Sequence, residues 1–221
     1  MTDEEILRRV DHTLLRADAL WKDIQILCDE GIRYKTASVC IPPAFVKPAH
    51  DASGGNLVIC TVIGFPLGYT FDTAKAHETS RALKEGAGEI DMVINISDVK
   101  NGNFSSVLNE IKVIKEICGN TILKVIIETC YLTEEEKIRL CGIVTEAGAD
   151  YIKTSTGFGT SGATIADVKL FRQNIGPDVK IKAAGGIKTR EDLESFIEAG
   201  ADRIGTSSAV KILTGLKAGA Y

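Results

Sequence analysis

Apolar residues alternate between two rhythms along the whole 221-residue chain. Short runs dense in Val, Ile and Leu have the length of strands. Between them lie longer stretches whose apolar residues fall three and four apart, the spacing of one helix face. Strands are predicted near 10–13, 36–40, 57–63, 90–96, 122–129, 151–155, 179–184 and 203–206. Helices are predicted near 73–85, 104–117, 133–147 and 190–199. Thr133-Glu134-Glu135-Glu136 and Thr189-Arg190-Glu191-Asp192 read as capping boxes, in which the Thr hydroxyl and the third-residue carboxylate each satisfy a free amide.

One joint recurs: Lys84-Glu85-Gly86-Ala87-Gly88-Glu89-Ile90, Glu146-Ala147-Gly148-Ala149-Asp150-Tyr151-Ile152 and Glu198-Ala199-Gly200-Ala201-Asp202-Arg203-Ile204. Each sets Gly where a helix must end in a left-handed residue and starts an apolar strand just after it. Asp29-Glu30-Gly31-Ile32 reads as a looser copy. Helix stop followed by strand start, repeated evenly, marks βα units feeding a parallel sheet. Eight such units predict an α/β fold, a (β/α)8 TIM barrel forming a single domain over 1–221. An open doubly wound sheet is the competitor, but no G-x-G-x-x-G follows the first strand.

Composition narrows the partners. Asp and Glu outnumber Lys and Arg, 30 to 26, for a net charge of −4. No basic face for nucleic acid is expected, and no run approaches the roughly 18 apolar residues of a membrane span. The acidic start Met1-Thr2-Asp3-Glu4-Glu5 is unlike a secretory signal, so a cytoplasmic protein is expected. Cys28, Cys40, Cys60, Cys118, Cys130 and Cys141 form no C-x-x-C pair and read as buried reduced thiols. Three His, unclustered, offer no ligand set, so neither metal nor cofactor is expected.

Strand side chains alternate, so parity assigns faces. With Ile90, Met92 and Ile94 packed against helices, Asp91, Val93 and Asn95 turn inward. The same reasoning turns Lys124, Ile126, Glu128, Lys153, Lys180 and Lys182 inward, with Lys180 at the bottom rim. A barrel filled for stability alone would use aliphatic layers. Buried charges must instead form a paired network, and ionisable groups at the C-terminal ends of barrel strands are where barrel enzymes keep their chemistry.

Lys153 is therefore a candidate amine nucleophile. Only about one ordinary lysine in a thousand is neutral near pH 7.5. Desolvation and a second ammonium on the neighbouring strand, Lys182, are expected to free that amine. Attack on a carbonyl would give an iminium, an electron sink for making or breaking a carbon–carbon bond. Asp91 is the best-placed proton shuttle. At the other end, Gly185 and Gly186 after strand seven, Ser207 and Ser208 after strand eight, and Gly157 after strand six suit a phosphate group.

These segments together resemble the deoxyribose-phosphate aldolase family of class I aldolases. The resemblance runs through Val10-Asp11-His12-Thr13-Leu14-Leu15, Ala37-Ser38-Val39-Cys40-Ile41-Pro42-Pro43 and Thr61-Val62-Ile63-Gly64-Phe65-Pro66-Leu67-Gly68. It continues through Glu89-Ile90-Asp91-Met92-Val93-Ile94-Asn95, Lys124-Val125-Ile126-Ile127-Glu128-Thr129 and Tyr151-Ile152-Lys153-Thr154-Ser155-Thr156-Gly157-Phe158. Lys182-Ala183-Ala184-Gly185-Gly186-Ile187 and Gly205-Thr206-Ser207-Ser208 complete it, so nearly the whole chain takes part.

The resemblance implies reversible cleavage of 2-deoxy-D-ribose 5-phosphate to D-glyceraldehyde 3-phosphate and acetaldehyde, in deoxyribonucleoside catabolism. It implies Lys153 as the Schiff-base lysine, Lys182 as the lysine that tunes it, and Asp91 as proton donor and acceptor. Asp11, Thr13 and Lys124 match positions lining the same polar network. Some members carry a basic residue where this chain has Phe158, so phosphate would lean here on backbone amides and serines. A terminal tyrosine, Tyr221, would fold over the site in members with a mobile tail. A homo-oligomer, a dimer, is expected on general grounds. Two other readings stand beside the aldolase: a metal-independent phosphosugar isomerase or epimerase with Asp91 as base, and a non-catalytic phosphosugar-binding barrel.

Overall fold

In the computed structural model, which describes residues 1–215, eight parallel strands close into a barrel in sequence order, β1 to β8. They are β1 Val10–Thr13, β2 Ser38–Ile41, β3 Ile59–Ile63, β4 Glu89–Val93, β5 Ile122–Ile126, β6 Tyr151–Lys153, β7 Lys180–Ala184 and β8 Arg203–Thr206. Around them lie α1 Asp3–Leu7, α2 Trp21–Tyr34, α3 Val46–Ser53, α4 Asp72–Lys84, α5 Ile96–Lys100, α6 Phe104–Cys118, α7 Glu134–Glu146, α8 Ile165–Asn174, α9 Arg190–Glu198 and α10 Ala209–Thr214. None of these helices is long and apolar enough to cross a membrane.

The expected chemistry of the joints is present. Gly86, Gly148 and Gly200 all have positive φ, and Thr133 and Thr189 both complete capping boxes, with Glu136 and Asp192. The outward strand residues Ile90, Met92, Ile152 and Ile181 are fully buried in one core with the inner helix faces, including Ile111, Val144 and Leu193. That shell is largely apolar, and charged residues buried in it are paired, His12 with Glu30 of α2 and Lys75 of α4 with Glu110 of α6.

Three expectations need correction. Gly31 does not end a helix: α2 runs on to Tyr34 and turns at Lys35, whose φ is 53°. A Cβ at Gly31 would stand 2.8 Å from Val39, so its glycine serves the packing of α2 on β2. Strands β4 and β5 stop three residues short of their predicted ends. Asn95 does not line the lumen; its side chain accepts from the Ser97 amide and caps α5. A polar residue just past a strand, followed by helix-forming residues, is recruited by the helix end.

Candidate active site

Register builds the site. Asp91 pairs with Lys124 across β4 and β5, and Lys153 with Lys182 across β6 and β7. Parity turns all four inward, and all are at most 3 % exposed. Lys153 Nζ and Lys182 Nζ donate to the same oxygen, Oδ2 of Asp91, at 2.7 and 2.6 Å. The two amines are therefore separated by no more than those two bonds laid end to end. Asp91 Oδ1 accepts from Lys124 at 2.9 Å and from the Cys60 thiol at 3.2 Å.

Below this level the network continues. Asp11 Oδ2 lies 2.5 Å from Lys182, and Asp11 Oδ1 accepts from Ser38 at 2.7 Å and Arg203 at 2.5 Å. Glu89 holds Lys124 at 2.6 Å and Arg203 at 3.1 Å. Three carboxylates thus face four basic side chains. Lys124 touches all three carboxylates and Lys182 two, whereas Lys153 touches only Asp91. The sequence implies a paired network with Lys182 repelling charge on Lys153; the structure sets the Asp91 carboxylate directly between the two amines.

Burial pushes the Asp91 carboxyl up, but Lys124, Lys153 and Lys182 outweigh it and hold it well below the usual carboxylate range. Asp11 follows the same balance, with Lys182, Lys124 and Arg203 prevailing over burial. Burial works to lower Lys182, yet Asp11 and Asp91 hold it above the ordinary lysine range. Lys182 therefore stays an ammonium, Asp91 stays a carboxylate, and the positive charge beside Lys153 is fixed.

Above the lysines opens a cavity of about 300 Å³. Lys153 forms its floor, and Gly157, Gly185, Gly186, Ser207 and Ser208 line its wall, so the five expected phosphate residues come together. Thr13 also lines it; its hydroxyl donates to the Asp11 carbonyl rather than to the charged network. Lys124 sits closer to the chemistry than a supporting role implies, since it bonds Asp91 directly. Phe158 stacks edge-on against Phe65, with ring centroids 5.4 Å apart. Tyr221 lies outside the described residues.

Other groups escaped the sequence reading. Glu89 shares the parity of Asp91 two residues on, and Arg203 that of Gly205, so alternation alone could have found both. Arg16, Lys188 and Lys211 also line the cavity and bring positive charge to its mouth; their loop and helix positions carry no periodic signal. As for metal ligation, Cys40, Cys60 and Asp91, and likewise Asp11, Cys60 and Glu89, bring ligand atoms within 4.8 Å of one another. Each of these carboxylates already faces an ammonium or guanidinium group, so the positive charge such a cluster would attract is in place.

A protein-family profile described as DeoC/LacD family aldolase matches residues 6–219. The chain belongs to that aldolase family. It is 61 % identical over 221 residues to the deoxyribose-phosphate aldolase of Clostridium botulinum strain Alaska E43, covering 100 % of both chains. The family member of the same name from Clostridioides difficile strain 630 is 57 % identical over 210 residues, covering 95 % of this chain and 96 % of the relative. Among solved structures, the tetrameric deoxyribose phosphate aldolase of Aeropyrum pernix superposes with a TM-score of 0.88 at 32 % identity, covering 97 % of this chain and 92 % of that one.

Proposed function

We infer that the protein is a class I, Schiff-base aldolase that reversibly cleaves 2-deoxy-D-ribose 5-phosphate to D-glyceraldehyde 3-phosphate and acetaldehyde. The observation that carries this is the meeting of Lys153 and Lys182 on one oxygen of Asp91, at the floor of a cavity walled by glycines and serines. A phosphosugar isomerase would need the carboxylate alone. A binding protein would have no use for a buried amine aimed at its ligand.

Lys153 is the nucleophile. Of the four basic side chains in the lumen, Lys153 has the fewest carboxylate partners, Asp91 alone, and it is the one that lines the cavity. Its neutral amine adds to the C1 aldehyde of the open-chain sugar, and loss of water gives a protonated imine. The imine draws the electron pair of the C2–C3 bond as the 3-hydroxyl proton passes, directly or through a water, to Asp91. Glyceraldehyde 3-phosphate leaves, the enamine takes a proton at C2, and hydrolysis releases acetaldehyde and Lys153. Because Lys182 and Lys124 hold Asp91 ionised, a proton it receives is passed on rather than kept.

The phosphate is held by the amides and hydroxyls of Gly157, Gly185, Gly186, Ser207 and Ser208. Arg16, Lys188 and Lys211 supply charge at the rim, where Phe158 supplies none. Asp11 and Lys124 orient the catalytic three, and Thr13 borders the bound sugar. The six thiols form no disulfide, which suits action in the cytoplasm. The assembly is a homo-oligomer, a dimer, joined through the exposed Leu67, Tyr69 and Phe71. The direct test is incubation with 2-deoxyribose 5-phosphate and measurement of both products. Acetaldehyde and glyceraldehyde 3-phosphate in equal amounts are expected; isomerised sugar with no acetaldehyde would refute the assignment.

A further inference from the structure

Two non-glycine residues among those described adopt positive φ, Lys35 and Glu128. Lys35 is exposed and closes α2, an ordinary helix end. Glu128 is another matter. It lies two residues past β5 with φ 54° and ψ 67°, and its residue is only 2 % exposed. A side chain bearing a Cβ is strained in that region and persists there only when its surroundings fix it.

Its carboxylate shows what it is held for. The Thr156 amide donates to both Oε1 and Oε2 at 3.2 Å, and the Thr156 hydroxyl donates to Oε2. That hydroxyl oxygen in turn accepts from the Phe158 amide at 3.0 Å. One buried carboxylate therefore fixes three consecutive residues, Thr156, Gly157 and Phe158, all on the wall of the cavity above Lys153. The fit extends in both directions. A Cβ at Gly159 would stand 3.1 Å from Glu128 Cδ and 2.7 Å from Cys130 Sγ, so the chain crosses directly over this carboxylate. A Cβ at Gly185 would stand 3.5 Å from Gly157 Cα, so the loop after β6 abuts the loop after β7.

We propose that Glu128 is a positioning residue: it holds the Thr156–Gly157–Phe158 turn against the loop after β7 and so sets the preference for a phosphorylated over an unphosphorylated deoxysugar. This rests on the phosphosugar assignment above. Glu128 itself touches neither the reacting amine nor the lysine beside it; it acts through the amide of Thr156 and the turn that follows.

The experiment measures kcat and KM for 2-deoxyribose 5-phosphate and for 2-deoxyribose, in the wild type and in Glu128→Ala, Thr156→Val and the double variant. Wild type is expected to prefer the phosphorylated sugar. Each single variant should lower that preference at least tenfold, mainly through KM, and the double variant should lose no more than the worse single. Thr156→Ser, which keeps the hydroxyl, should restore most of it. Should Glu128→Ala not fold, Thr156→Val reads the same bond from its other end. Equal losses on both sugars, or losses that multiply in the double variant, would overturn the positioning role while leaving the aldolase standing. A wild type with no preference would overturn the phosphosugar assignment and this proposal with it.

Discussion

Charge placement at single residues decides the chemistry of this barrel. Lys182 is locked as an ammonium by Asp11 and Asp91, so its work is to put fixed positive charge beside Lys153. Lys182→Leu should lower kcat/KM by roughly two or more orders of magnitude, since preorganised charge of this kind contributes about 3–4 kcal/mol. It should also move the acid limb of the pH–rate profile to higher pH, because the lost charge no longer favours the neutral amine. An unshifted limb would deny the tuning role. Asp11 offers a second reading of the same field. Its folded carboxyl lies below its unfolded value, so its contribution is present above about pH 3.9 and fades as pH falls through the folded value. Thermal melts of wild type and Asp11→Asn should differ most near neutrality and converge in strong acid; a gap that widens on acidification would have the wrong sign. Parity made Asp91, Lys153 and Lys182 legible in the sequence, because one apolar neighbour on each strand fixes the direction of the rest. It did not reveal that Asp91 stands between the two lysines, since side-chain reach across a lumen depends on register, which no strand carries alone.

At the level of elements, helices α4 and α6 brace the barrel mouth from outside. Lys75, fully buried, donates to the Val93 carbonyl at 2.8 Å and pairs with Glu110, which accepts from the Asn95 amide at 3.1 Å. Glu78, one turn along α4, accepts from the Gly64 amide at 2.8 Å. The ends of β3 and β4 are thereby tied to helix side chains where strand pairing has stopped. Removing one member of a buried ion pair leaves an uncompensated charge, so Lys75→Met is expected to cost about 3–5 kcal/mol. Glu110→Leu added to it should recover most of that loss in a denaturant titration. A double variant no more stable than the single would mean that the two backbone bonds, not the charge balance, dominate. None of this was visible beforehand. Lys75 sits between Ala74 and Ala76 in a helix rich in polar residues, and only the tertiary fold buries it. The capped helices α7 and α9 were legible because their signals are local: a threonine, a carboxylate three residues on and a glycine stop. Where a glycine served packing instead, as Gly31 does, the local signal misled.

For the whole molecule, eight strands close a cylinder with a largely apolar outer layer and a charged lumen, and the closed barrel brings β1 and β8 side by side so that Asp11 meets Arg203. That contact spans nearly the length of the chain; a closed eight-strand barrel implies that β1 adjoins β8, but Arg203 itself went unread in the sequence. On the outside, Leu67, Tyr69 and Phe71 are 54, 66 and 84 % exposed on the segment between β3 and α4. Sedimentation should show an oligomer that Phe71→Asp weakens; a wild type sedimenting as a monomer would exclude the proposed assembly. The catalytic claim has a sharper test. The protein is incubated with acetaldehyde, reduced with borohydride, weighed intact and mapped by peptides. A single ethyl group fixed on Lys153, absent from Lys153→Ala, is the expected result; no adduct, or one carried by Lys182 or Lys124 instead, would contradict it.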